Sequence, residues 1–228
     1  MSPAVSPWWA GVRDGRLWRS STTLLAGVYS YANKGLVVKK RRVGNLLALG
    51  VLSVLAYQPM HPYEMAGTLR GWGKDRDLGI KWGSLYTVVR NLARHQLIAE
   101  VETVREGARP ERTVYRLTDE GRAELLDWTR ELLTDGEPFR AGLSLLSVVP
   151  PGDAVVLLQQ HVDALAARIG ELRDQLERET VPRLFLVELE YDIAMATAEA
   201  AWTGALRDEI ASGAFPGLEV WKSHHEPR

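Results

Sequence analysis

The chain has 228 residues, of which 46% are hydrophobic and 25% charged, with 20 Gly, 11 Pro and no Cys. This composition excludes wholesale disorder and collagen-like repeats, and the length suffices for one or two domains with a sizeable core. The lack of Cys excludes disulfides, thiolate nucleophiles, iron–sulfur clusters and Cys-type zinc sites. It is compatible with a reducing cytoplasm, where the chain is expected.

The formal net charge of −1 conceals an asymmetry. Residues 1–38 carry four basic and one acidic residue, and residues 39–117 carry 14 basic and 7 acidic. Residues 118–228 reverse the balance, with 10 basic and 21 acidic. A basic segment ahead of an acidic one points to a polyanion for the first and a different task for the second. No run of 18 apolar residues occurs, so no membrane-spanning helix is expected. The apolar stretch Thr22–Ala32 is broken by Gly27, Tyr29, Ser30 and Tyr31 and has no convincing cleavage site after it, so secretion is not expected.

Residues 1–38, with Trp8, Trp9 and Trp18 among Ser, Pro, Gly and Arg, lack sustained periodicity. They read as a poorly ordered extension, either part of the protein or the product of a start upstream of Val38. The run Lys39-Lys40-Arg41-Arg42 is a candidate arm for phosphates. Asn45 caps a predicted buried helix through Leu46–Leu55, stopped by Gln58-Pro59. His61, read as a cap, and Pro62 start a second helix to about Arg70. Gly71, Gly73 and Gly79 mark a loop, and Gly83 opens a third helix with Leu85, Val88, Val89 and Leu92 on one face. Val101–Arg105 and Thr113–Leu117 are rich in β-branched residues and read as a hairpin with a basic tip. Thr118 then caps a helix from Asp119 to Leu133.

Three helices and a hairpin in this order describe a winged helix-turn-helix, assigned to residues 39–134. The third helix is its reading element. With Leu85, Val89 and Leu92 turned inward, the opposite face holds Thr87, Arg90 and Arg94, flanked by Tyr86 and Asn91. A helix fits the major groove, where Arg pairs with guanine and Asn with adenine, while the Ser84, Tyr86 and Thr87 hydroxyls suit phosphates. The hairpin offers Arg105, Arg109 and Arg112 to the backbone or minor groove.

After Gly136 the pattern changes. Phe139, Leu143 and Leu146 suggest a short helix ended by Pro150-Pro151. From Asp153 to Glu179, Val155, Leu158, Val162, Leu165, Ile169, Leu172 and Leu176 alternate spacings of three and four, an a/d seam. Pro182 opens another long helix, on which Leu186, Leu189, Ile193, Ala196 and Ala200 continue the alternation. The seam, with Leu189 and Ile193, is the expected subunit interface; an intramolecular hairpin is the other solution. Residues 135–228 thus form a helical dimerisation domain, and the fold class is mainly α with a small β wing. Trp128 and Trp202 are candidate linings of an effector cavity. No catalytic constellation occurs: His161 stands alone on a long helix, Glu188 and Glu190 are solvated, and His224-His225 lacks further ligands. Neither an enzyme nor a metal or cofactor site is expected.

Leu46–Tyr57, Pro59-Met60-His61-Pro62-Tyr63-Glu64-Met65, Gly83-Ser84-Leu85-Tyr86, Leu97-Ile98, and Arg112-Thr113-Val114-Tyr115-Arg116-Leu117-Thr118 with Glu120-Gly121 together resemble the PadR family of transcriptional regulators. The match covers about 39–134. The tail is similar to that of longer members with a helical dimerisation region. The family often has Gly where Pro62 stands. The resemblance implies a homodimeric winged-helix repressor on a palindromic operator, released by a small-molecule effector, with Ser84 and Tyr86 at the start of the recognition helix. The alternative is a helical interaction protein that uses the winged helix to dock proteins; a steep salt dependence of duplex binding separates the two.

Overall fold

The computed structural model describes residues 41–80, 82–104, 112–134 and 138–226. The extension 1–38, together with Lys39 and Lys40, lies outside the described residues.

Helix α1, Leu46–Leu55, is the centre of the first core, with every residue from Leu47 to Leu55 buried. Asn45 Oδ1 accepts from the Leu47 N–H at 2.8 Å, so the expected cap is in place. Helix α2, Pro62–Gly71, opens with a reciprocal cap. The His61 imidazole Nδ1 accepts from the Tyr63 N–H at 3.1 Å, and the Glu64 carboxylate accepts from the His61 N–H at 2.9 Å. Pro62 fits here because the first turn has no hydrogen bond to lose.

The glycine segment after α2 is not all loop. Gly73 turns the chain at φ +69°, a short helix α3 runs over Lys74–Asp77, and Gly79 turns it again at φ +59°. A 3₁₀ turn at Trp82–Ser84 leads into α4, Leu85–Arg94. Strands β1, Ile98–Val104, and β2, Arg112–Leu117, pair antiparallel with Ile98 opposite Leu117 and Glu100 opposite Tyr115. The register slips between Glu100 and Glu102, a bulge at Val101. β1 starts at Ile98 rather than Val101, because Ile98 and Leu97 are buried where α4 turns into the sheet. The Met60 backbone bridges Tyr115 in both directions, at 3.0 and 3.1 Å, tying the turn before α2 to the wing.

Helix α5, Asp119–Thr134, follows at once. Thr118 Oγ1 accepts from the Gly121 N–H at 3.0 Å and donates to the Gln96 carbonyl at 2.7 Å. Leu125, Trp128 and Leu132 of α5 close the core made by α1, α2, α4 and the wing.

Arg41 departs from the basic arm. Its side chain is 3% exposed and reaches Glu124 and Glu131 at 2.5 Å and Asp127 at 3.2 Å, all on α5. Its guanidinium also lies 5.0 Å above the Trp128 ring. Arg41 is therefore a strut within the chain rather than a phosphate contact. Arg41→Met should strand three acidic side chains around a lost cation and cost about 2–3 kcal/mol, read as a lowered chemical denaturation midpoint. An unchanged midpoint would show that these pairs are worth no more than surface ones.

The rest is helical. Helix α6, Phe139–Ser144, and a 3₁₀ turn at Leu146–Val148 lead to α7, Pro151–Arg178. Pro182 opens only a 3₁₀ turn, Arg183–Phe185; helix α8 spans Val187–Ser212 and ends at Gly213, φ +82°. A final helix α9, Leu218–Ser223, was not expected from the sequence. It folds back so that the Trp221 indole donates to the Val149 carbonyl at 2.8 Å.

Helices α7 and α8 form an antiparallel hairpin. Leu158, Leu165 and Ile169 of the expected subunit seam are buried within the chain, as are Leu189 and Ala196 of α8. Leu165 and Ile169 pack with Ala196, Ile193 and Ala200. Val155, Val162, Leu172, Leu176 and Ile193 are half-buried. The described residues group as one unit, so contacts join the two expected domains. Among the described residues, no helix is long and apolar enough to cross a membrane.

Candidate nucleic-acid interface

Helix α4 divides sharply into two faces. Leu85, Val88, Val89 and Leu92 are buried, which fixes its rotation against α1 and α2. Tyr86, Thr87, Arg90 and Arg94 are exposed on the other side, and Asn91 is half-buried at its edge. The expected reading face is therefore assembled as one surface. Arg94 donates to the Asn91 side-chain oxygen, which holds both side chains in a defined pose. Arg94 keeps further N–H donors. Arg90 has no ion pair among the described residues. Ser84, half-buried, closes the 3₁₀ turn just ahead of α4 and so sits at its N-terminus, where donors point outward.

The wing is placed only in part. Arg105 and Arg109 lie outside the described residues, and Arg112 is fixed only as the first residue of β2. Near its base, the Tyr115 hydroxyl donates to Glu100 at 3.4 Å. Burial pushes the Tyr115 phenol above its ordinary value, and the Glu100 carboxylate adds to the effect.

Aromatic residues flank α2 and the glycine segment that follows it. Tyr63, in the first turn of α2, is exposed, and Tyr57 stands edge-on to Trp72 with ring centroids 4.8 Å apart. Arg70 lies 4.2 Å above Trp82. Their signal was an excess of aromatic residues flanking Pro59 and the glycines, which read equally well as packing.

Trp128 and Trp202 do not share a cavity. Trp128 is buried in the first core. Trp202 is exposed and lines a shallow cleft of about 390 Å³ with Pro138, Phe139, Arg140, Leu143 and Glu199. His161 is not alone on its helix, as its sequence position suggested, but is held behind this cleft. Its ring stacks on Phe139 at 3.8 Å, and its nitrogens meet the Thr134 carbonyl at 2.5 Å and Glu199 at 2.7 Å. Glu190, expected to be solvated, pairs with Arg183 at 2.8 Å.

Residues 51–127, which include α2, α4, both strands and the cap of α5, match the profile of the transcriptional regulator PadR-like family. This segment is a PadR-like domain. Its family is one of DNA-binding transcriptional regulators, in keeping with the face that α4 presents. No curated protein matches the chain. Among solved structures, the chain is similar to Bacillus subtilis PadR in complex with operator DNA, at 19% identity over 72% of this chain and 98% of that one, with a TM-score of 0.31. The same protein in complex with p-coumaric acid aligns at 17% identity over 73% and 99%, with a TM-score of 0.31. The regulator TA0346 from Thermoplasma acidophilum aligns at 25% identity over 49% and 99%, with a TM-score of 0.34. Beyond the PadR-like domain, α6 to α9 supply the hairpin and the Trp202 cleft.

Proposed function

We propose that the chain is a homodimeric, ligand-responsive repressor in which two copies of α4 read the half-sites of a palindromic operator. The observation that carries this reading is the exposed row Tyr86, Thr87, Arg90 and Arg94, backed by a fully buried apolar face, within a PadR-like domain. Ser84 and Tyr86 position the helix on phosphates, Arg90, Asn91 and Arg94 contact base edges, and the wing arginines Arg105, Arg109 and Arg112 follow the backbone.

A palindrome requires two reading helices about one helical turn apart, hence a dimer. The hairpin is the element that joins them. After α7 and α8 have closed on each other, an apolar row remains on the outside of α8: Val187, Tyr191, Met195 and Trp202, with Ala194, Ala198 and Ala201 beside them. A second copy is its occupant. The Trp202 cleft is the place for a small-molecule effector, because it combines an aromatic wall with the Arg140 and Glu199 side chains.

Selection of genomic fragments by the full chain, followed by footprinting, tests the reading. Arg90→Ala and Arg94→Ala should each cost about 1–3 kcal/mol of affinity, confined to one position in each half-site, while the thermal midpoint stays unchanged. Unaltered affinity in both variants would remove α4 as the reading helix.

A further inference from the structure

Helix α6 is short, yet it is fastened on both sides. On the side of the DNA-reading domain it holds α3, the helix immediately before the turn into α4. Lys74 donates to the Ser144 carbonyl and, at 2.8 Å, to its hydroxyl. Arg140 donates to Asp77 at 2.9 Å, and Ser144 reaches the same carboxylate at 3.4 Å. On the side of the hairpin, Phe139 stacks on His161, which is 7% exposed and bridges the end of α5, at the Thr134 carbonyl, to Glu199 on α8. Between the two sets, α6 is pressed onto α5. A Cβ at Gly142 would stand 2.9 Å from the backbone of Leu132.

We infer that α6 is a coupling strut that makes the setting of α3 and α4 depend on the state of the α7–α8 hairpin. The inference rests on the reading of α4 as a DNA helix and adds how the hairpin regulates it. Two features make the strut able to transmit. Lys74 on Ser144 and His161 between Thr134 and Glu199 are partly buried, while the Arg140–Asp77 pair beside them is exposed; burial pulls the Lys74 ammonium below its ordinary value, against the opposing pull of Asp77. Both links also end at the cleft, because Arg140 of the first and Glu199 of the second line it together with Trp202. Any molecule that takes the donors of Arg140 or the acceptors of Glu199 loosens one link directly. Asp77 and Glu199 share no hydrogen bond or ion pair, so independent effects would simply multiply.

A double-mutant cycle on the full chain tests this. Asp77→Asn and Glu199→Gln should each weaken binding to a selected operator fragment, roughly threefold or more, because each releases the pre-set position of α4. The double variant should lose clearly less than the product of the two. Amide exchange provides a readout without DNA: Glu199→Gln should speed exchange over residues 74–94, and Asp77→Asn should speed it over the part of α8 around Glu199. Strictly multiplicative affinities, or exchange altered only beside each substitution, would overturn the strut. If the parent chain binds no duplex, the DNA reading fails by itself, and the exchange experiment still decides the coupling.

Discussion

Gly121→Ala is expected to cost the winged-helix domain roughly 3 kcal/mol or more, above the usual range for overpacking. A Cβ at this position would stand 1.9 Å from the Leu97 carbonyl oxygen and 2.8 Å from Leu117 Cδ1. The nearer atom belongs to backbone, so no side chain can rotate away. That carbonyl also accepts the Thr118 N–H, and Thr118 caps α5 through the Gly121 N–H. Displacing α5 to admit one methyl group therefore breaks the cap, the α4–β1 turn and the packing of Leu125 together. In a protein of this size such a loss lowers the thermal midpoint by roughly 10 °C. Gly67→Ala is the matched control: it lies inside α2, an added methyl group there would meet nothing within 4 Å, and the change should be neutral or slightly stabilising. A Gly121→Ala midpoint within about 2 °C of the parent would mean that the α5–β1 approach yields more readily than its geometry implies.

If the outer row of α8 is the subunit contact proposed above, Met195→Glu should yield monomers and abolish tight operator binding while leaving the PadR-like domain folded. Met195 is exposed in the middle of the outer row of α8, between Tyr191 and Trp202. In a monomer a glutamate there remains in water and costs little. In a dimer built on this row it is desolvated opposite its own symmetry mate, at several kcal/mol. Leu165→Asp provides the contrast. Leu165 is buried between α7 and α8, so a charge there opens the hairpin itself and should lower helicity and stability before it changes mass. Light scattering at matched concentrations separates the outcomes. A Met195→Glu variant that remains dimeric and binds normally would transfer the subunit contact to another surface.

The elements whose reasons are local were legible in the sequence. Asn45, His61 with Pro62, and Thr118 announce helix starts through side chains that act within three residues, and all three caps are present. The face of α4 was equally plain, because four apolar residues at helical spacing leave only one orientation. What escaped depends on partners distant in the chain. A charge run looks the same whether its guanidinium meets phosphate or Glu124, 83 residues away, so nothing local separates Arg41 from the basic arm around it. His161 acquires its role only from Thr134, Phe139 and Glu199, which no spacing rule connects. The a/d seam is a further case: periodicity states that a stripe must be covered but not by which helix, and α8 of the same chain covers its centre. Helix α3 was hidden because flanking glycines at positive φ look like loop whether or not four helical residues lie between them.

The distribution of packing along the hairpin gives it a mechanical character. At its root, Leu133, Phe139, Val149, Leu158, Ile210 and Trp221 form a closed cluster, pinned by the Trp221 indole. At the opposite end, Leu184 and Phe185 are 74% and 64% exposed. Helix α7 has 28 residues, so the hairpin is a lever about 40 Å long, clamped at one end. A tilt of about 5° at the root carries the tip through roughly 4 Å. Conversely, a load applied anywhere along the outer face of α8 returns to the root as torque, where Phe139 and His161 receive it.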